Sequence, residues 1–207
     1  MTVQAVVFDI GNVLIGWNPE GFYDARLGAD TRKQMWRETG IEAMNLAVDA
    51  GAPMRETVQA LADRHPRWRA QILWWHDHWI EMASPRIDGS IALLRALRKK
   101  GVAVFALTNF GDDTFTYAQT HYDFLAEFDR AYVSGRMGVI KPDPLIYAML
   151  EEDCGVAPGA LLFADDRPEN IAAARLRGWK GHIFTDWQGW AARLVAEGLL
   201  TETEAGL

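Results

Sequence analysis

Six polar side chains, spread over most of the chain, have the types that phosphoryl transfer requires. They are Asp9, Thr108, Asn109, Lys141, Asp165 and Asp166. A carboxylate can attack phosphorus and form a covalent intermediate. Carboxylates held close together cannot all stay ionised without compensation, and Mg²⁺, which prefers oxygen ligands, would supply it. If the fold brings these residues together, we expect Asp9 to attack phosphorus beside Mg²⁺ and water to release phosphate in a second step.

Short apolar runs are the elements that must position these side chains. Such runs are typical of buried β-strands, and helical spacing of apolar residues fills the chain between them. The predicted strands cover residues 4–8, 102–107, 130–134, 160–164 and 181–184, and the predicted helices cover 91–97, 145–150, 171–176 and 190–199. This alternation predicts βαβ units and a parallel sheet. Ligands of such sheets bind outside the carboxyl ends of the strands, where we expect the polar side chains to meet.

The stretch from residue 19 to residue 84 breaks this alternation, because it has helical spacing and no convincing strand. Six of the nine tryptophans fall between Trp17 and Trp79, and we expect most of them to form the core of this stretch. We therefore predict an α/β fold with a Rossmann-like, three-layer core around a parallel sheet. Residues 1–16 and 85–207 would form that core, and residues 17–84 an inserted α-helical cap.

The composition argues against several classes of partner. The chain has 207 residues and a formal net charge of -7, whereas a nucleic-acid binder needs a basic surface to neutralise phosphates. No stretch approaches the roughly 20 apolar residues that span a bilayer. The single cysteine, Cys154, excludes an intrachain disulfide. We therefore expect a cytoplasmic monomer or homodimer that acts on a small phosphorylated molecule, not on nucleic acid or a membrane.

Four segments resemble the ordered motifs of the haloacid dehalogenase-like hydrolase superfamily. They are VVFDIGNVL at residues 6–14, ALTN at 106–109, KPDPLIY at 141–147 and FADDRPEN at 163–170. Each is weak alone, but together they follow the family's order and span almost the whole chain. The resemblance implies a C1-type cap that closes over the substrate, and a Mg²⁺-dependent phosphatase similar to those that act on sugar phosphates.

The resemblance also implies roles for individual residues. The implied metal site consists of Asp9, the backbone carbonyl of Gly11, Asp166 and, as a ligand or a neighbour of one, Asp165. The implied phosphate site consists of Thr108, Asn109 and Lys141. Asn12 is a further candidate for the substrate site, as is Trp17, which follows the nucleophile closely and could line the pocket. Asp9 would be the nucleophile and Lys141 a second catalytic group, and Asn170 would orient Asp166 or Lys141.

One position departs from the pattern of most phosphatases in this family. They carry a second aspartate two residues after the nucleophile, which protonates the leaving group, and here that position is Gly11. Such a general acid contributes about 10²–10⁴-fold to the rate. Three consequences are open: the substrate has an easy leaving group, a water or a substrate group substitutes, or the reaction needs no acid.

Two other functions compete with the phosphatase. A 2-haloacid dehalogenase would use Asp9 without metal and would need no acid, because halide leaves without a proton. It would need an arginine for the substrate carboxylate, for which Arg32 and Arg37 are candidates, and the acidic pair at Asp165 and Asp166 opposes it. A binding or scaffold protein without catalysis would explain Gly11 but not the retained polar set.

Overall fold

The computed structural model describes residues 2–207, and a parallel sheet forms the centre of the fold. The strands are β1 (Ala5–Phe8), β2 (Ala103–Thr108), β3 (Arg130–Val133), β4 (Leu161–Asp165) and β5 (Lys180–Ile183). Their order across the sheet is β3-β2-β1-β4-β5. Each predicted strand is therefore present, with ends within one residue of the prediction. The predicted third strand ends one residue early because Ser134 already begins a helix.

Helices surround the sheet and fill the stretch between β1 and β2. They are α1 (Pro19–Leu27), α2 (Ala29–Thr39), α3 (Ile41–Asp49), α4 (Met54–Arg64), α5 (Arg69–Asp77), α6 (Trp79–Met82), α7 (Asp88–Lys99), α8 (Asp112–Gln119), α9 (Ser134–Met137), α10 (Pro144–Cys154), α11 (Pro168–Leu176), α12 (Trp187–Ala196) and α13 (Glu202–Ala205). Short 3-10 turns cover Pro66–Trp68, Asp123–Ala126 and Pro158–Ala160. The helix predicted at 190–199 lies three residues earlier than expected, and the turn after it contains Gly198 at φ 74°.

The sheet is buried on both faces, which gives the fold three layers. Side chains alternate between the faces of a strand, so that Val6 and Phe8 of β1 pack on one side with α7 and α12. Ala5 and Val7 pack on the other side with α10 and α11. The predicted α/β class, with a Rossmann-like core and a helical insertion, is confirmed.

The helical insertion, α1 to α6, has an aromatic core. Trp75 is 2% exposed and its ring lies 5.9 Å from that of Trp17. Trp68 and Trp79 are also buried, as predicted for tryptophans of this stretch. Of the helices in residues 2–207, none combines the length and apolar character that crossing a bilayer requires. The division of the chain at residues 17 and 84 stays a prediction.

Candidate active site

The register of the sheet brings the predicted carboxylates to one edge. Phe8 of β1 lies opposite Ala106 of β2 and Ala164 of β4, so the residues that follow on each strand are neighbours. Carboxylate oxygens of Asp9, Asp165 and Asp166 all lie within 4.8 Å of one another. Parallel strands deliver their carboxyl ends to the same side of the sheet, and the sequence prediction rested on that property.

Lys141 lies between two of these carboxylates and is almost fully buried. Its ammonium nitrogen is 2.9 Å from Asp9 Oδ1 and 2.7 Å from Asp165 Oδ2. It also donates to the backbone oxygen of Leu107 at 2.9 Å. The ammonium therefore has three oxygen partners, two of them carboxylates. Lys141 is thus a fixed positive charge beside Asp9.

Asn109 holds the backbone of Lys141 from both sides. Its Nδ2 donates to the carbonyl of Lys141 at 3.0 Å, and its Oδ1 accepts from the amide of Lys141 at 2.7 Å. The side chain predicted to hold phosphate is therefore used to position the lysine. Thr108 is 1% exposed and lines the cavity next to Asp9, where the prediction placed it.

Asp165 is fully buried and already has protein donors on both oxygens. Its Oδ1 accepts from the amide of Arg167 at 2.8 Å and from Asn170 Nδ2 at 2.9 Å. Its Oδ2 accepts from Lys141 and from the same Asn170 nitrogen at 3.0 Å. Asn170 therefore orients Asp165, not Asp166 or Lys141 as the resemblance implied.

Asn12 connects the loop after β1 to Asp166. Its Nδ2 donates to Asp166 Oδ2 at 2.9 Å, and its Oδ1 accepts from the amide of Trp17 at 2.9 Å. Asn12 adopts φ 55°, a left-handed conformation that asparagine tolerates better than most residues. Asn12, which was predicted to contact substrate, thus uses its side chain to bond Asp166 and the backbone of Trp17. The side chain of Trp17 lines the cavity.

The site carries more negative than positive charge. The pKa of Asp9 is raised to about 7, mainly by burial and also by the charges of Asp165 and Asp166, while Lys141 acts in the opposite direction. Burial also raises the pKa of Asp166, against the hydrogen bond from Asn12. Burial alone would lower the pKa of Lys141, but Asp9 and Asp165 outweigh it and hold that pKa above its ordinary value. Three carboxylates around one ammonium are a donor set that fits a hard divalent cation.

A cavity of about 190 Å³ opens onto these groups. The core contributes Asp9, Thr108, Lys141 and Asp166, and the helical insertion contributes Asn45, Leu46, Asp49 and Trp79. Asp49 was missed by the sequence analysis, although burial raises its pKa to about 7. The one signal available was its position four residues after Asn45, which places both on one face of a helix.

The two arginines considered for a dehalogenase, Arg32 and Arg37, lie outside the cavity. Arg32 is buried within the insertion, 2.8 Å from Asp24 and 3.0 Å from Glu20, and Arg37 is exposed. Neither is among the residues that line the cavity in the described chain. Arg167 lines it, but its guanidinium pairs with Glu169 at 2.6 Å. Arg32 and Arg37 therefore give no support to the dehalogenase hypothesis.

Comparison with known proteins agrees with this geometry. A model of the haloacid dehalogenase-like hydrolase family matches residues 3–178. A sesquiterpene phosphatase of Aspergillus oryzae is 29% identical over 89% of this chain and 91% of its own length. A D-ribitol-5-phosphate phosphatase of Bacteroides thetaiotaomicron is 26% identical over 93% of this chain and 97% of its own length.

A solved structure is similar over most of both chains. It is a HAD family enzyme of Bacteroides thetaiotaomicron in complex with magnesium and inorganic phosphate, with a TM-score of 0.70 and 21% identity. The match covers 89% of this chain and 95% of the other. At this identity the similarity concerns the fold. Together with the family match, it shows that the chain belongs to the haloacid dehalogenase-like hydrolases.

Proposed function

We propose that this hydrolase is a Mg²⁺-dependent phosphatase that cleaves a small phosphomonoester through an aspartyl-phosphate on Asp9. The observation that carries the proposal is the grouping of Asp9, Asp165 and Asp166 within 4.8 Å, with Lys141 2.9 Å from the nucleophile. The similarity to two phosphatases of known substrate supports the same reaction class.

Each residue of the site has a task in the two steps. Asp9 Oδ attacks phosphorus, and water then attacks the phosphorus of the aspartyl-phosphate and releases inorganic phosphate. Lys141 and Thr108 stabilise the negative charge on the phosphoryl oxygens, by an ammonium and by a hydroxyl donor. Asn109 keeps Lys141 in place through its backbone. Asp165 fixes the ammonium from the other side.

The residues present fit a bound Mg²⁺. Asp9, Asp166 and the backbone carbonyl of Gly11 would hold the ion, and Asp165 would support the site through Lys141, because its own oxygens already accept hydrogen bonds. When bound, the ion offsets the charge of the carboxylates and polarises a phosphoryl oxygen. Asn12 keeps Asp166 oriented toward this position.

The alcohol part of the substrate would lie against the helical insertion, which we treat as a cap over the site. Polar groups are supplied there by Asn45 and Asp49, and apolar surface by Leu46, Trp17 and Trp79. This mixture accommodates an alcohol with one hydrophobic side. The sugar phosphate expected from the sequence stays a prediction that a substrate panel must test.

The experiment is release of inorganic phosphate from a panel of esters with Mg²⁺ and with EDTA. The panel contains sugar 1-phosphates, ribitol 5-phosphate, a prenyl phosphate and an aryl phosphate. We expect turnover with Mg²⁺, its loss in EDTA, and none in Asp9→Asn. The matched control is Asp30→Asn, an exposed aspartate of α2. No phosphate release from any ester, with halide release from 2-chloropropionate, would refute the proposal.

A further inference from the structure

Hydrolysis of an alkyl phosphate is accelerated by a proton donor, which Gly11 cannot provide. An ester oxygen leaves phosphorus most easily when it is protonated as the bond breaks. The cavity-lining groups that could carry this proton are Asp9, Asp49, Lys141, Asp166 and Arg167. Asp9 is the nucleophile, Asp166 belongs to the metal site, and the ammonium of Lys141 is held by Asp9, Asp165 and the carbonyl of Leu107. Arg167 stays charged, which leaves Asp49.

We propose that Asp49, on the helical insertion, is the catalytic acid that protonates the leaving oxygen and takes the place vacant at Gly11. This rests on the proposed phosphatase function. The donor thus comes from the helical insertion, which also lines the cavity with Asn45 and Leu46, instead of from the loop that carries the nucleophile.

Asp49 is held in position from two directions. Asn45, one turn earlier on α3, donates from Nδ2 to Asp49 Oδ2 at 3.0 Å. Ser134, at the start of α9, donates from its hydroxyl to the backbone oxygen of Asp49 at 2.5 Å. Asp49 therefore ends its helix against the core, with one carboxylate oxygen held by Asn45.

The turn after α3 allows the end of this helix to lie close to α9. Gly51 has φ 111°, a conformation that side chains rarely adopt. A Cβ at this position would lie 2.9 Å from the backbone oxygen of Gly135. The chain after α3 thus passes directly over the first turn of α9, and a side chain at residue 51 would force these two backbone segments apart.

The carboxyl of Asp49 is suited to carry a proton near neutral pH. Burial raises its pKa to about 7, although Lys141 and the hydrogen bond from Asn45 act in the opposite direction. On the elements packed against α3, Arg136 of α9 pairs with Asp112, and Arg55 of α4 is exposed. The charged groups that share the cavity with Asp49 are Asp9, Lys141, Asp166 and Arg167.

The step balances in protons and electrons. As Asp9 Oδ bonds to phosphorus, the bond from phosphorus to the ester oxygen breaks and its electron pair stays on that oxygen. The proton of Asp49 passes to the same oxygen, which leaves as the alcohol. Asp49, now a carboxylate, accepts a proton from the water that attacks the aspartyl-phosphate. Phosphate leaves, Asp9 is regenerated and Asp49 is protonated again.

The test compares two leaving groups with Mg²⁺ present. In Asp49→Asn we expect kcat/KM to fall about 10²–10⁴-fold on an alkyl phosphate such as ribitol 5-phosphate. On p-nitrophenyl phosphate, whose leaving group needs little protonation, we expect less than about a tenfold loss. The wild type should lose alkyl phosphatase activity as the pH rises above about 7, where Asp49 gives up its proton. Asp49→Asn should not show this loss. Asp30→Asn is the matched control.

Further variants separate catalysis from structure. The asparagine can still accept the hydrogen bond from Asn45, so the variant should fold, which its thermal midpoint checks. Asp49→Glu should recover part of the alkyl activity because it restores a carboxyl group. Equal losses on both esters, no loss on either, or no recovery in Asp49→Glu would each overturn the acid role. If the wild type releases no phosphate from either ester, the proposed phosphatase function itself fails.

Discussion

Replacing Lys141 by methionine should destabilise the protein strongly, because it removes the one ammonium among buried carboxylates. At an effective dielectric constant near 20, an ion pair 2.7 to 2.9 Å long has an attraction of about 6 kcal/mol. Desolvation of the ammonium offsets most of the two attractions. Breaking a buried pair by removing one partner typically costs about 3–5 kcal/mol, since the remaining charge is left uncompensated. We expect Lys141→Met to lower the free energy of unfolding by about 3–5 kcal/mol.

The assay is urea unfolding followed by tryptophan fluorescence, in EDTA so that metal binding does not add stability. For a chain of this size, about 3–5 kcal/mol corresponds to a fall in Tm of roughly 6–20 °C. Lys33→Met is the control, because Lys33 is exposed on α2 and its loss should stay within about 0.5 kcal/mol. A Lys141→Met protein within about 1 kcal/mol of the wild type would refute the reasoning.

Three further predictions concern the carboxylates and their surroundings. Asp9→Asn should abolish phosphate release while changing the free energy of unfolding by less than about 1 kcal/mol, because Lys141 keeps its second carboxylate partner; retained turnover would exclude the aspartyl-phosphate. In an Asp49→Asn background, Gly11→Asp should accelerate alkyl phosphates more than aryl phosphates, since a Cβ there meets only Trp17 at 3.9 Å; equal effects on both esters would show that Asp49→Asn had not removed a general acid. Asp49→Asn should become more stable relative to the wild type as pH rises from 4 to 7, because in this range the unfolded wild type, whose carboxyl has the ordinary pKa of 3.8, releases a proton that the native carboxyl, with its pKa raised to about 7, still holds. The difference should level off above pH 7 at no more than about 4 kcal/mol, and a constant difference across urea titrations at pH 4.5, 6 and 8 would contradict the raised pKa.

The sheet could be predicted from the sequence because buried parallel strands are continuous apolar runs. Residues 160–164 were expected as a strand, and β4 occupies Leu161–Asp165. The convergence of Asp9 with Asp165 and Asp166 followed from the same feature, since strand ends in a parallel sheet share one edge. The helical character of the insertion was equally visible in its spacing.

The roles of the asparagines could not be predicted in this way. Asn12 and Asn109 bond to residues of the site that lie 154 and 32 positions away, and Asn170 bonds to Asp165, five positions before it. Which polar side chain faces a ligand and which holds a neighbour depends on distances of a few tenths of an ångström. A motif gives the residue types but not these distances.

Asp49 was missed for a different physical reason. Its pKa is raised mainly by burial, and the end of α3 lies against Ser134 and Gly135 of the core, which are distant in the sequence. Seen along the chain alone, Asp49 is an ordinary acidic residue near the end of a helix.

A proton donor on the insertion makes proton transfer depend on how the insertion sits on the core. An acid beside the nucleophile would be in place whatever the insertion did, whereas Asp49 is in place only while the chain at Gly51 contacts Gly135. The same helix, α3, lines the cavity with Asn45 and Leu46. Proton donation and the lining of the cavity are therefore coupled through one helix. Gly11→Asp in an Asp49→Asn background should break this coupling and restore alkyl phosphatase activity from the core side.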